Sequence, residues 1–143
     1  MDSLLENNMK RIVEFLFEIG MLKKTPRTGY QFLGSGKESV AAHSFRTAVI
    51  AYVLACKNPK LDMRKVVLMS LFHDFHEART GDHNYVNKKY VVVDEEKAIK
   101  DQVDSLPFSK EILDLSREFS EGRTPEALPA PEVTGKSGNP YGC

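Results

Sequence analysis

An all-α fold is what this sequence predicts, and three observations predict it. Apolar residues recur at three- and four-residue spacing in one segment after another. Residues that start and stop helices stand between those segments. The one stretch that resembles a strand, residues 91–93, has no second strand to pair with. A chain of 143 residues is expected to form one domain that buries a core without disulfide support.

Residues 3–20 predict an amphipathic helix, with Leu5, Met9, Ile12, Val13, Leu16 and Phe17 as its apolar stripe and Gly20 as its C-cap. Residues 21–38 predict a loop. Thr25-Pro26 disfavours helix there, and Gly29, Gly34 and Gly36 punctuate it. A loop of this length in a compact domain points to function, and it contains Arg27, Tyr30 and Phe32. A helix over residues 39–56 follows, with Phe45, Ala48, Val49, Tyr52 and Val53 inward and His43 to one side of that stripe. Cys56 is expected to be a buried free thiol.

Asn58-Pro59 ends that helix, and Asp62 is the expected N-cap of the next. Val66, Val67, Met69, Leu71 and Phe72 make this third helix apolar on most faces, as a central helix should be. Thr80-Gly81-Asp82 is a turn, and residues 83–92 are expected to be helix or loop. A polar helix is predicted over 94–105. Pro107 breaks the chain, and a helix over 109–122 turns Ile112, Leu113, Leu115 and Phe119 inward. Thr124-Pro125-Glu126 is a strong helix start. Pro129 and Pro131 stop it, each at a cost of roughly 3 kcal/mol in a helix interior. Residues 1–127 are therefore expected to be the folded domain, and 128–143 a disordered Pro/Gly-rich tail.

The composition excludes some partners. Twenty basic and twenty acidic residues cancel, so no overall charge attracts a nucleic-acid polymer or an anionic membrane. No apolar run approaches a membrane span. Asp2 and Glu6 do not suit a secretory leader. Cys56 and Cys143 make no disulfide framework, which fits a cytoplasmic protein.

The chemistry concentrates at residues 61–82. His73 and Asp74 stand side by side near the end of an apolar helix, Glu77 lies one turn on, and Asp82 follows the next turn. Buried ionisable groups cost several kcal/mol unless paired or metal-bound. His73 and Glu77, four apart, share a helix face. A metal beside a bent helix end is within reach of both His73 and Asp74, and His43 is the only imidazole on the neighbouring helix. That donor set suits Mn, Fe, Co or Zn and leaves room for a water that the ion acidifies. Glu77 and Asp82 are then placed to handle protons. The plainer reading stays open beside this one: an end-of-helix His-Asp pair, a solvated Glu77, a turn residue at Asp82 and a surface charge at Arg27.

The segments Glu38-Ser39-Val40-Ala41-Ala42-His43-Ser44, His73-Asp74-Phe75-His76-Glu77-Ala78 and Thr80-Gly81-Asp82 resemble, in order and spacing, the HD-domain phosphohydrolase superfamily. The similarity is to its branch of 5'-deoxynucleotidases and oxetanocin-like proteins. Thr25-Pro26-Arg27-Thr28-Gly29-Tyr30 also matches, with Tyr30 where the family carries Trp. The resemblance implies an HD-domain helical bundle with metal ligands His43, His73 and Asp74. The implied cofactor is a divalent ion, Mn or Co, with Zn, Fe or Mg also compatible. Glu77 would orient or activate the attacking water, and Asp82 would act near the substrate phosphate and sugar. Arg27 would position the phosphate beside Tyr30. The implied reaction is removal of phosphate from a deoxyribonucleoside 5'-monophosphate by a homodimer.

Two departures qualify this. Relatives carry a fourth ligand, an Asp, in a helix that would start near Thr124, and this chain has no Asp after Asp114. A bundle lacking its C-terminal helices, from a truncated or frame-shifted product, is therefore expected. The alternative function is a catalytically impaired module that binds nucleotide or a protein partner without turnover. His76 is also an additional imidazole where relatives have a small residue.

Overall fold

The computed structural model describes residues 2–127; the tail expected over 128–143 lies outside the described residues. Seven α-helical segments and no strand occur among the described residues: α1 (Asp2–Gly20), α2 (Tyr30–Leu33), α3 (Val40–Lys57), α4 (Met63–Phe72), α5 (Glu77–Thr80), α6 (Glu95–Val103) and α7 (Ser109–Glu121). Short 3-10 turns cover Met21–Lys23 and Asn87–Lys89. No helix among the described residues is long and apolar enough to cross a membrane. The all-α expectation holds, including the absence of a strand at residues 91–93.

The chain divides into two compact units. One is Met1–Ala42 with Asp74–Leu113; the other is His43–His73 with the chain from Asp114. In the first unit, Phe15 of α1 is buried and meets Phe75 and Phe108 edge-on, with ring centroids 6.0 and 5.8 Å away. Arg11, one turn earlier, donates from Nη2 to the Gln102 carbonyl at 2.7 Å and from Nε to the Asp104 carbonyl at 3.1 Å. These bonds satisfy acceptors that the end of α6 leaves open. At the other end of α6, Asp94 accepts from the Lys97 N–H at 2.9 Å, an N-cap.

In the second unit, Asp62 caps α4 as expected, accepting from the Lys65 N–H at 3.1 Å. Met69, Leu115, Phe119 and Ala127 form its apolar core, with Leu68 and Phe72 against it. The helix start at Thr124 is realised as a single turn. The Ala127 N–H donates to the Thr124 hydroxyl at 3.3 Å, and that hydroxyl donates to Glu118 at 2.6 Å.

Several expectations are corrected. Apart from Ile12, the stripe expected to face inward on α1 is exposed: Phe17 is 78% exposed and Leu16 61%. The covered face carries Ile12, Phe15 and Ile19. Both faces of α1 carry apolar residues, so periodicity alone does not choose between them. The choice follows from Phe15 and from polar partners that flank it, Arg11 on α6 and Glu18, which accepts from Arg79 at 3.1 Å.

α3 repeats the pattern. Phe45, Val49, Tyr52 and Val53 are exposed, while His43, Ser44, Thr47, Ala51 and Ala55 are buried. The period was right and its phase was off by two residues. Cys56 therefore lies exposed rather than buried. Gly20 is not a left-handed C-cap either. It has φ −57° and ψ −23°, and the chain passes through it into the 3-10 turn at Met21.

Candidate metal centre

α4 stops at Phe72, directly before the His-Asp pair. His73 still donates its N–H to the Met69 carbonyl at 3.0 Å. Beyond it the bonding pattern tightens. Glu77, Ala78 and Arg79 donate to the carbonyls of Asp74, Phe75 and His76 at 3.0, 3.1 and 2.9 Å, the three-residue spacing of a 3-10 turn. His73 and Asp74 thus stand at the break between α4 and α5, and His73 and Glu77 do not share one regular helix face as expected. All five residues from His73 to Glu77 are buried. Phe75 is held by its ring on Phe15 and by its carbonyl, which accepts from Gln102 Nε2 at 3.0 Å.

His43, on the buried stripe of α3, has its ring centroid 5.5 Å from that of His73, with the planes at 67°. His43, His73 and Asp74 each offer one ligand atom, and those atoms all lie within 4.8 Å of one another. His73 Nδ1 lies 2.7 Å from the Ser70 carbonyl. A carbonyl only accepts, so Nδ1 carries the proton and Nε2 keeps its lone pair for a metal. Two imidazole nitrogens and one carboxylate oxygen form a donor set that fits a divalent transition ion. Their burial, 2% exposure for His43 and 1% for Asp74, fits a centre shielded from bulk water.

Arg27 reaches this centre: its Nη1 lies 3.6 Å from Asp74 Oδ2. The loop that carries it is closed at its base. The Arg27 N–H donates to the Glu38 carbonyl and the Val40 N–H to the Thr25 carbonyl, both at 2.9 Å. Within it lies a cavity of about 770 Å³ lined by Lys23, Lys24, Arg27, Tyr30, Gly36 and Lys37, among others. Tyr30 lies flush against Gly36, where a Cβ would come within 2.7 Å of the ring. Its hydroxyl donates to Glu38 at 3.4 Å.

Glu77 lines a different cavity of about 180 Å³, together with His76, His83 and Glu95. His76 faces Glu95 there, at 3.7 Å. Asp82 follows Gly81, whose φ of 73° and ψ of 165° lie in a region open essentially to glycine alone. Asp82 accepts from the Thr28 N–H at 2.6 Å.

In the second unit His43 meets His73; in the first Arg27 pairs with Asp74 and shares one cavity with Tyr30. Asp82 meets the same loop one residue past Arg27. Sequence reasoning missed Ser70, Thr28, Asn84 and Gln102. Gln102 alone left a signal: it is a polar residue in the apolar stripe of Ile99, Val103 and Leu106.

His43, His73 and Asp74 are a candidate set of metal ligands in a helical domain. The chain matches the model of the HD domain family over residues 19–133 and belongs to that family. It is 32% identical over 124 residues to the human protein 5'-deoxynucleotidase HDDC2, covering 82% of this chain and 60% of that one. It is 33% identical over 126 residues to the 5'-deoxynucleotidase hdd1 of Schizosaccharomyces pombe, covering 81% and 63%. The chain thus spans about three fifths of these curated relatives. A solved structure described as a predicted metal-dependent phosphohydrolase, from Magnetospirillum magnetotacticum, superposes with a TM-score of 0.72 at 26% identity, covering 88% of this chain and 67% of that one.

Proposed function

We propose that this chain is a metal-dependent phosphohydrolase that removes phosphate from deoxyribonucleoside 5'-monophosphates. The observation that carries the reading is the buried His43-His73-Asp74 set with Arg27 paired to its aspartate. Names of the relatives support the substrate class, since two of them are called 5'-deoxynucleotidases.

His43, His73 and Asp74 would hold a divalent ion, Mn or Co first. Such an ion supplies Lewis acidity and lowers the pKa of water bound to it. The remaining work falls to side chains. The Arg27 guanidinium takes two phosphate oxygens, which its planar fork suits. Lys23, Lys24 and Lys37 along the same cavity draw in the anion, and Tyr30 lies against the sugar and base. Glu77 accepts the proton of the attacking water. Asp82 belongs to the substrate end of the site. Two cysteines without a disulfide framework support a cytoplasmic location. The exposed apolar residues of α1 and of α3 support a homodimer.

The test is metal stoichiometry joined to turnover. The purified chain is equilibrated with Mn²⁺, and metal per chain is counted by mass spectrometry beside Asp74→Ala and His83→Ala. Phosphate release from dAMP is measured on the same samples. The expected result is one Mn²⁺ per chain with release in the wild type and His83→Ala, and neither in Asp74→Ala. Equal metal in all three, or release without metal, overturns the reading.

A further inference from the structure

The loop that presents Arg27 is tied to the turn after α5 by a compact set of contacts. The Thr28 N–H donates to Asp82 Oδ2 at 2.6 Å. The Thr28 hydroxyl lies 3.3 Å from both the Asp82 carbonyl and Oδ2, and accepts from Asn84 Nδ2 at 3.3 Å. Asn84 is itself buried. Its Oδ1 accepts from the N–H groups of Val86 and Asn87 at 3.0 Å, and its own N–H donates to Asn87 Oδ1 at 3.3 Å. One turn further along the loop, Phe32 meets Tyr85 with ring centroids 5.5 Å apart. Two segments more than fifty residues apart in sequence are thus joined at a backbone amide, a hydroxyl and a ring pair.

The joint falls next to Arg27. The backbone of Arg27 is bonded to Glu38 on one side. On the other side the next residue, Thr28, is bonded to Asp82. The guanidinium that meets Asp74 therefore leaves a backbone fixed on both flanks. A carboxylate that accepts a short bond from a backbone N–H is oriented by that bond. Such a contact suits Asp82 to the holding of the loop.

We propose that Asp82 is a positioning residue: with Asn84 it clasps Thr28, and through Thr28 it sets Arg27 where the substrate phosphate binds. The proposal rests on the phosphohydrolase reading for what Arg27 binds. The clasp itself does not depend on that reading. Asp82 acts on binding through Arg27, and Glu77 remains the group that handles the proton of water.

Asp82→Asn and Asp82→Ala separate this role from a catalytic one. Asparagine keeps an oxygen that accepts the Thr28 N–H but provides no acid or base; alanine removes both. The full chain is used, with amide hydrogen exchange read over residues 24–39 and KM and kcat measured for dAMP. In Asp82→Ala, exchange at Thr28 is expected to rise about tenfold or more, the loss of one charge-assisted bond. KM is expected to rise about tenfold while kcat changes less. Asp82→Asn is expected to lie much nearer the wild type in both readouts. Asn84→Ala, which leaves Asp82 intact, is expected to shift KM in the same direction as Asp82→Ala.

Wild-type Thr28 exchange in Asp82→Ala overturns the clasp. An Asp82→Asn variant as dead in kcat as Asp82→Ala, with Thr28 still protected, overturns the positioning role and makes Asp82 an acid or base. If the wild type releases no phosphate from dAMP, the phosphohydrolase reading fails by itself. Exchange at Arg27 and Thr28 then decides the clasp: protection lost in Asp82→Ala and kept in Asp82→Asn supports it, and protection kept in both overturns it.

Discussion

Replacing Gln102 by leucine should weaken a centre to which Gln102 contributes no ligand. Gln102 is fully buried on α6, and its Nε2 donates to the Phe75 carbonyl at 3.0 Å. Phe75 directly follows Asp74. Leucine keeps most of the volume, so little cavity forms, but the carbonyl loses this donor. Losing a buried hydrogen-bond partner costs about 1–3 kcal/mol. The loss is moderated here, because Gln102 Oε1 is buried and accepts from nothing among the described residues, and leucine removes that atom too. A net cost of about 1–2 kcal/mol follows, a fall in Tm of roughly 3–8 °C for a chain of this size. The Arg11 bond to the Gln102 main-chain carbonyl is untouched, so the change reports the side chain alone. A turn freed at Phe75 should hold Asp74 less firmly, and loss of support behind a ligand typically lowers metal affinity about 10–100-fold. Urea unfolding at constant m-value, with Mn²⁺ titration by calorimetry, measures both. Gln102→Glu is the sharper partner, since it sets a carboxylate against a carbonyl. It should be less stable than Gln102→Leu at neutral pH and recover towards acid, where the protonated carboxyl donates. A Gln102→Leu protein with wild-type urea midpoint and wild-type Mn²⁺ affinity would refute the reasoning.

Two further outcomes are expected. Phe15→Ala should lose about 3–5 kcal/mol, as buried phenylalanines do, whereas Phe17→Ala, on the exposed face of the same helix, should stay within about 0.5 kcal/mol at dilutions where the chain is monomeric; equal urea midpoints for the two under those conditions would reverse the assignment of the α1 face. Lys65 is raised above its ordinary value of 10.5 by its hydrogen bond to Glu118, at 3.3 Å. A raised lysine contributes stability that is fully present below the unfolded-state pKa and is lost as pH rises through the folded value. Lys65→Met should therefore cost about 0.5 kcal/mol at neutral pH, screened by salt, and the gap in Tm from the wild type should close above the lysine range.

What the sequence made legible was decided by what each residue is for. His43, His73 and Asp74 stood out because imidazoles and a carboxylate in or beside apolar helices are costly unless something binds them, and the structure gathers them. Asp62 and Thr124 were legible because capping is local: each bond runs three residues along the chain. The phases of α1 and α3 were not legible. Each helix carries two stripes of the right period, and selection between them rests on distant groups, the rings of Phe75 and Phe108 for α1. The break after Phe72 was hidden for a related reason, since no proline or glycine marks it. Gln102, Thr28 and Ser70 share a further trait. Each serves the site through a main-chain N–H or carbonyl, and the partner's residue type leaves no trace of such a bond. Gln102 still betrays itself, because a polar side chain among Ile99, Val103 and Leu106 must either find a partner or cost stability. Supporting residues around a site are therefore best sought as polar interruptions of an apolar stripe, a search that finds Gln102 and passes over Thr28.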